Sequence, residues 1–401
     1  DVGENIVTDL TYLGGAESQD VVIRTNGGTL TVNGKKGSTK EECDEIVHYG
    51  FANVVNSDVG NFCFYTHGTI NQLNAIAGKV IADKNGIIYV TRAAGDSIVE
   101  RQNGGIVIVP ENADIAANAT VSESTTDERY IAISTAEQLK SIRDNINNEQ
   151  NYNDVVLKLT ADIDLSGEQW TPIGDCHEHA FAGTIDGNNY TIKLAFAGTY
   201  NGPETAQSSS NTAGDGFGLI GWATGSLTVK DLTLDVNFNL TASGDIKASY
   251  VGGLVGIYDA AGYVGSNKGD TESVAKTFNV NISNVVVNGA ITGADKVGGL
   301  FGSTYISDYK YSNKTILFNF DQCTNNATVS GSGRVGGIVG TASGQFAGDS
   351  NNNNVKVLFN NCNNTQAISS TSSEYKPGGI AGFLASPGNY EFKTCNSVEI
   401  P

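Results

Sequence analysis

The segment Asp175-Cys-His-Glu-His179 holds the densest group of side chains in the chain that could bind a metal ion. Two histidines one residue apart point to the same face of an extended strand, so both rings could contact one ion. The alternative is a solvated loop, with Cys176 inside it, that binds metal only adventitiously. We favour the loop because the sequence has no paired Cys-x-x-Cys motifs of the kind that hold zinc. We therefore expect no metal site and no cofactor.

Paired carboxylates that would suit general acid–base catalysis occur at Asp162 and Asp164. They alternate with the apolar residues Ile163 and Leu165, which is the pattern of a strand with one solvated face. We therefore interpret both carboxylates as surface residues, and we predict no catalytic residues.

The elements that position these residues follow from a repeat in the second half of the chain. A glycine-rich motif recurs five times, at Gly216–Gly221, Val251–Gly256, Val297–Gly302, Val335–Gly340 and Pro377–Gly382. Each repeat contains three short strands and no helical period, so one repeat alone cannot bury its apolar side chains. Stacked repeats would form a continuous core. The sequence therefore predicts a right-handed parallel β-helix, with coils about 4.8 Å apart.

The first quarter of the chain repeats more tightly. Short β segments begin at Gly28, Gly50, Gly68, Gly86 and Gly105, at intervals of 18 to 22 residues. About 18 residues fit a coil with three faces of roughly six residues each. This pattern predicts a smaller β-helical domain, and the alternative is an ordinary β-sandwich.

Residues 113–133 interrupt both repeats with a polar stretch and are predicted to be a linker. Ser134 and Glu137 then form a capping box ahead of an apolar stripe, which predicts a helix. A solenoid needs a cap over its first coil, and we assign the helix to that position. The predicted organisation is a small β-helical domain over 1–112, the linker, and a larger parallel β-helix over 134–401.

A resemblance supports this organisation. The segments Ser134–Leu139, Leu159–Leu165, Trp170–Gly174 and Phe181–Gly187 resemble the opening of bacterial adhesin-like β-helix proteins. The Val-Gly-Gly-Leu-Val-Gly copies resemble the GLUG repeat of the same proteins, so the similarity spans residues 130–400. It implies an exported or surface protein of a host-associated bacterium.

The cysteines argue against a disulfide framework in the larger domain. Cys323, Cys362 and Cys395 occupy one column of the repeat, and earlier repeats have Leu or Val there. Such a column is a buried apolar position. Stacked side chains also have parallel Cα–Cβ bonds, which suit a disulfide poorly, so we expect free, stacked thiols. Cys43 and Cys63 could pair.

The charge of the chain limits its partners. It has 24 basic and 43 acidic residues and a net charge of −19, so it would repel nucleic acid and anionic membranes. No apolar run approaches the ~20 residues of a membrane-spanning helix. The chain contains no Met and begins with Asp1, from which we expect a mature or trimmed exported protein.

Insertions after the glycine motifs are expected to leave the coils at one corner and so to cluster along one flank. Exposed tyrosines there would offer flat apolar faces with polar tips to a ligand. The alternative is that these aromatic residues only pack their own loops. The candidate ligand-binding residues are Tyr258, Tyr263, Tyr305, Tyr309 and Tyr311, and the same flank carries Phe346 and Tyr390.

These patterns favour a non-catalytic protein. We expect a monomeric, secreted or cell-surface, adhesin-like bacterial protein that binds a host glycan or protein through loops on a β-helix. The alternative is a carbohydrate-active enzyme of the β-helix type, either a polysaccharide lyase or a glycoside hydrolase.

Overall fold

The chain forms two compact units. The computed structural model describes residues 10–13, 21–34, 44–84, 86–110, 113–124, 130–148, 152, 155–200, 202, 216–241, 250–259, 276–304, 314–343, 355–385 and 388–398. Unit 1 comprises Asp1–Ile142 and Asp154–Lys158, and unit 2 comprises Arg143–Asn153 and Leu159–Pro401. Regular structure in the described ranges is almost entirely β, with one α-helix. The predicted all-β class with a parallel β-helix and one helix is confirmed.

Unit 1 is built from short parallel strands. Every pairing among β1–β13 that the structure describes is parallel. The strands are β1 (Leu10–Leu13), β2 (Val21–Asn26), β3 (Thr29–Asn33), β4 (Asp44–Ala52), β5 (Val54–Ser57), β6 (Phe62–Thr66), β7 (Thr69–Ala75), β8 (Lys79–Ala82), β9 (Ile87–Ala93), β10 (Ile98–Arg101), β11 (Ile106–Ile108), β12 (Asp114–Ile115), β13 (Thr120–Val121) and β14 (Tyr130–Ile133).

Equivalent residues of successive coils stack in unit 1. Leu30, Val55, Leu73 and Val90 are register partners in turn, and each is at most 1% exposed. This interior column excludes the β-sandwich alternative, because it requires strands of successive coils to lie directly on one another.

The glycine repeat of unit 1 has one exception. Phe51, Thr69 and Ile87 are register partners, which stacks the glycines that precede them. Gly28 is outside this stack, because the partner of Gly50 is Thr25. Gly27 and Gly28 instead form the turn between β2 and β3, with φ angles of 109° and 70° that favour glycine.

Strands β12 and β13 lie inside the segment 113–133 that was predicted to be a linker. They pair with β9 and β10 and so extend the sheet of unit 1. The domain boundaries derived from the sequence remain predictions.

Unit 2 is a longer parallel solenoid. Its strands follow β15 (Val156–Leu159), which contains residues of both units. They are β16 (Ile163–Leu165), β17 (Phe181–Asp186), β18 (Thr191–Gly198), β19 (Gly216–Phe217), β20 (Ile220–Leu240), β21 (Tyr250–Gly252), β22 (Val255–Tyr258), β23 (Lys276–Thr292), β24 (Lys296–Gly298), β25 (Phe301–Ser303), β26 (Lys314–Asp321), β27 (Thr324–Gly331), β28 (Arg334–Gly336), β29 (Val339–Ala342), β30 (Val355–Asn360), β31 (Asn363–Asn364), β32 (Ile368–Ser370), β33 (Ala381–Leu384), β34 (Asn389–Lys393) and β35 (Asn396–Ser397).

The predicted interior column of unit 2 is confirmed. Leu232 pairs with Val285, and the pairing of the residues that follow places Cys323 and Cys362 next in line. All four side chains are at most 1% exposed. The same apolar position therefore recurs in four coils, whether Leu, Val or Cys fills it.

A left-handed residue marks the corner before this column in five successive coils. Asp231, Asn284, Gln322, Asn361 and Thr394 have φ angles between 51° and 53°. Asn and Asp tolerate this region better than other non-glycine residues. Asn284 Nδ2 also donates to Asp231 Oδ1 at 2.8 Å, a hydrogen bond between successive coils.

The helix α1 spans Ala136–Ile146. Its first residue is one position later than the predicted capping box at Ser134 and Glu137 implies. Gln138 N donates to Thr135 Oγ1 at 3.2 Å, and Gln138 Oε1 accepts from Thr135 N at 3.1 Å. The reciprocal box is therefore Thr135-x-x-Gln138. Glu137 instead forms an ion pair with Lys140 at 2.7 Å.

The carboxyl end of the helix caps unit 2. The Arg143 guanidinium lies 5.2 Å from the centre of the Trp170 ring. Asn147 donates to Pro172 O at 3.0 Å and accepts from Gly174 N at 2.8 Å. These contacts cover the first coil of the solenoid with hydrogen-bonded side chains, which is what a cap must do.

The thiols of the cysteine column are free, as predicted. Cys323 Sγ donates to Ile282 O at 3.4 Å, and Cys362 Sγ donates to Phe320 O at 3.4 Å. Cys395 Sγ bonds to Phe359 O at 3.5 Å in the same way. Each thiol therefore hydrogen-bonds to the main chain of the preceding coil. Cys43 lies outside the described residues, and its pairing with Cys63 stays a prediction.

We expect Cys323 and Cys362 to be protected from alkylation in the native protein. Both are 0% exposed, whereas Cys395 is partly exposed. Their labelling requires opening of the solenoid, so it should be at least ~10³-fold slower than that of Cys395. Mass-spectrometric mapping of a labelling time course would measure this ratio. Equal rates at Cys362 and Cys395 would contradict the buried column.

Candidate functional site

The insertions of unit 2 begin along a single line. Strands β22, β25, β29 and β33 are stacked in register, so they bring the chain to the same edge of four successive coils. The residues that follow them are Asp259, Thr304, Ser343 and Ala385, which we call the insertion edge. The predicted common corner is therefore present where the insertions start.

Main-chain hydrogen bonds fix the insertion edge to the coils. Thr304 N donates to Thr341 O at 3.0 Å, and Ala385 N donates to Ala342 O at 2.9 Å. Ser343 N donates to Thr304 Oγ1 at 2.9 Å, which ties one insertion start to the next. The residues of the insertion edge are therefore held to the coils and to one another by hydrogen bonds.

Tyr258 is not an exposed aromatic residue, and its assignment to ligand binding is wrong. Its side chain is 0% exposed, and its hydroxyl donates to Gly225 O at 2.6 Å. Its ring packs edge-on against Phe318 at 4.9 Å. It ends β22, a strand whose four residues are all buried, so both of its faces are covered.

Tyr390 also has a structural role. It lies in β34, and its hydroxyl contacts Ala342 O at 3.0 Å and Ala385 O at 2.6 Å. It therefore holds the insertion edge rather than standing free beside it. The remaining aromatic candidates, Tyr263, Tyr305, Tyr309, Tyr311 and Phe346, lie outside the described residues, and their roles stay predictions.

The segment 175–179 brings three potential metal ligands together. The ligand atoms of Asp175, Cys176 and His179 all lie within 4.8 Å of one another. His179 Nδ1 is 2.8 Å from Asp175 Oδ1. Within the described ranges, this is the one such group of three side chains.

These residues do not form the solvated loop that the sequence favoured. Cys176 is 1% exposed, and the side chains of Asp175 and His179 are 13% and 15% exposed. Burial, reinforced by the charge of Asp175, raises the pKa of the Cys176 thiol to about 12. His179 N donates to the Cys176 carbonyl oxygen at 3.2 Å, which closes the turn around this cysteine.

The two histidines do not act as a pair. The segment His177–His179 is a 3₁₀ turn and not an extended strand, so the alternation that would align the rings is lost. The His177 ring packs edge-on against Trp222 at 5.5 Å, and its Nε2 is 3.9 Å from Asp259 Oδ2. His179 turns instead toward Asp175.

Tyr200 interacts electrostatically with this cluster. Its side chain is 8% exposed, and its hydroxyl has no hydrogen-bond partner in the described part of the chain. Burial raises its pKa, and the nearby Asp175 and Cys176 raise it further. A buried hydroxyl without a partner costs about 1–3 kcal/mol, so its position requires an explanation.

The carboxylates of β16 and its neighbouring turn have structural partners. Asp164 accepts from Ser166 Oγ at 2.6 Å and lies 3.4 Å from Lys193 Nζ. The bonds from Ser166, with the Lys193 charge, lower the pKa of Asp164, so this carboxyl stays ionised. Asp162 accepts from Thr191 N at 2.7 Å. Their interpretation as surface residues agrees with these contacts.

One row of stacked side chains was not predicted from the sequence. Tyr250, Lys296 and Arg334 are register partners on successive coils. Lys296 Nζ lies 4.4 Å from the Tyr250 ring centre, and the Arg334 guanidinium lies 4.4 Å from that of Tyr375. Each of the three directly precedes the Val-Gly of a glycine motif, which was the available signal.

The stacked, in-register coils define the chain as a parallel β-helix protein. A stretch of 192 residues is 28% identical to Halomucin of Haloquadratum walsbyi, covering 46% of this chain and 2% of that protein. No family model and no solved structure matches the chain. In the described ranges, no helix combines the length and apolar character needed to cross a membrane.

Proposed function

We propose that this protein is a non-catalytic, secreted or cell-surface binding protein of the adhesin-like type. It acts as a monomer and binds a surface glycan or protein through insertions carried on a rigid β-helix. The observation that carries the proposal is the insertion edge, where the residues that precede the insertions of four successive coils lie along one line. Loops on a rigid scaffold are a common location for binding residues.

The sequences of the insertions support this role. The segment after Thr304 contains Tyr305, Tyr309 and Tyr311 within seven residues. Tyrosine combines a large apolar face with a hydroxyl and loses little conformational entropy on binding, so it suits both sugars and proteins. The resemblance of residues 130–400 to adhesin-like GLUG proteins favours the same role.

The charged surface residues also favour binding over catalysis. Glu391 lies between two cations, with its carboxylate oxygens 2.8 Å from Lys393 Nζ and 3.0 Å from Lys356 Nζ. Hydrogen bonds from both cations lower the pKa of Glu391, as Ser166 and Lys193 do for Asp164. A general acid needs a raised pKa to carry a proton near neutral pH, and these two carboxyls have the opposite shift.

Simultaneous replacement of Tyr305, Tyr309 and Tyr311 by Ala should weaken binding at least ~10-fold, because truncating buried interface tyrosines typically costs 2 kcal/mol or more. Binding to a glycan array and to host cells would be measured for both proteins. The melting temperature should stay nearly unchanged, since the substituted residues lie in the sequence between β25 and β26 and belong to neither strand.

The matched control replaces Ser307 and Ser312 of the same insertion by Ala. These changes keep the aromatic faces, so binding should remain at the level of the unmodified protein. Equal binding by the tyrosine variant and the serine variant would refute the proposed surface. Turnover of a polysaccharide by the purified protein would refute the non-catalytic assignment.

A further inference from the structure

We propose that Asp175, Cys176 and His179 form a binding site for a single zinc-like divalent cation. Carboxylate, thiolate and imidazole are the three ligand types that zinc takes from proteins. Their ligand atoms already lie within 4.8 Å of one another. The site is independent of the proposed binding function.

The geometry needs only small movements to accept the ion. Zinc bonds of about 2.0–2.3 Å in tetrahedral coordination separate neighbouring ligand atoms by about 3.3–3.8 Å. The 2.8 Å between Asp175 Oδ1 and His179 Nδ1 would open slightly as the ion replaces the proton that these atoms share. The third ligand atom, Cys176 Sγ, lies within 4.8 Å of the other two and would move closer to them as the ion binds.

The backbone fixes the segment that carries the three ligands. Cys176 directly precedes the 3₁₀ turn His177–His179, and His179 N donates to Cys176 O at 3.2 Å. Asn147 Oδ1 accepts from Gly174 N at 2.8 Å and Asp175 N at 3.3 Å, which anchors the start of the segment.

A second observation concerns Tyr200. Its hydroxyl is buried and has no partner in the described part of the chain, and it interacts electrostatically with Asp175 and Cys176. Three protein ligands leave the fourth tetrahedral position open for a water molecule.

The test is a titration of the purified, metal-free protein with Co²⁺, which takes tetrahedral sites and absorbs light through thiolate-to-metal charge transfer. We expect one equivalent to bind with that absorption and to be displaced by Zn²⁺. Cys176→Ser should abolish the charge-transfer band. Asp175→Asn and His179→Gln should weaken binding at least ~100-fold, since loss of outer-shell partners alone costs roughly 10–100-fold.

Two controls separate the site from other thiols and from misfolding. His177→Gln and Cys395→Ser should bind Co²⁺ like the unmodified protein, because His177 faces Trp222 and Cys395 lies in the terminal coil. Far-UV circular dichroism without metal would establish that each variant folds. Lack of a charge-transfer band in the unmodified protein, or its persistence in a folded Cys176→Ser variant, would overturn the proposal.

Discussion

Gly299→Ala should destabilise the solenoid by about 3 kcal/mol or more, because a methyl group has no space at this position. A Cβ atom there would overlap Gly337 O of the next coil and would lie 2.5 Å from the Asn325 side chain. The Gly337 carbonyl group cannot move away without breaking hydrogen bonds between the coils. Asn325 is 0% exposed and donates to Asn364 Oδ1 at 2.8 Å, so its displacement would also break a buried hydrogen bond.

Gly167→Ala is the matched control for this substitution. Nothing lies within 4 Å of a Cβ at Gly167, and its φ angle is not in the left-handed region. The change should therefore stay within about 0.5 kcal/mol of the unmodified protein. Urea unfolding of the three proteins, followed by circular dichroism, would measure both effects. A Gly299→Ala variant with unaltered stability would mean that coils are not packed as closely as described.

Phe359→Ala should cost about 3–5 kcal/mol, the usual range for removing a buried aromatic side chain. The Phe359 ring stacks between Phe320, at 5.1 Å, and Phe392, at 4.9 Å, and both interplanar angles are 10°. Removing it opens a cavity in the core and breaks both stacking contacts. Repeat proteins transmit such losses chiefly to neighbouring repeats. Protection from hydrogen exchange should therefore fall in β26, β30 and β34, and should persist in β20.

Phe392→Ala provides the comparison within the same stack. Phe392 is 43% exposed and is the last ring of the row, so its loss should cost clearly less, about 1 kcal/mol. Hydrogen exchange read by mass spectrometry would locate each effect along the chain. Uniform loss of protection in all coils of Phe359→Ala would contradict nearest-neighbour coupling.

The stacking of coils was predictable because it depends on residue types at one repeated position. Leu232, Val285 and Cys323 differ in shape but share an apolar character, and burial in a common column is what they have in common. The helix start was harder to predict. Ser134-x-x-Glu137 and Thr135-x-x-Gln138 both match a capping box, and only the backbone geometry selects the second.

The errors at the candidate sites have a common physical cause. Tyr258 ends a short strand with both faces covered, and alternation along a sequence cannot distinguish such a strand from one with an open face. Cys176 is 1% exposed, although its neighbours in the sequence are polar. Composition alone therefore indicated a solvated loop.

The register between adjacent coils has a consequence for the length of the molecule. Val297 and Val335 are partners, so deleting residues 298–335 would join Val297 to Gly336 and reproduce a Val-Gly junction that already exists. Phe359 would then take the place of Phe320 above Ile282. One complete coil can thus be deleted, or duplicated in the same way, without interrupting any column of interior side chains.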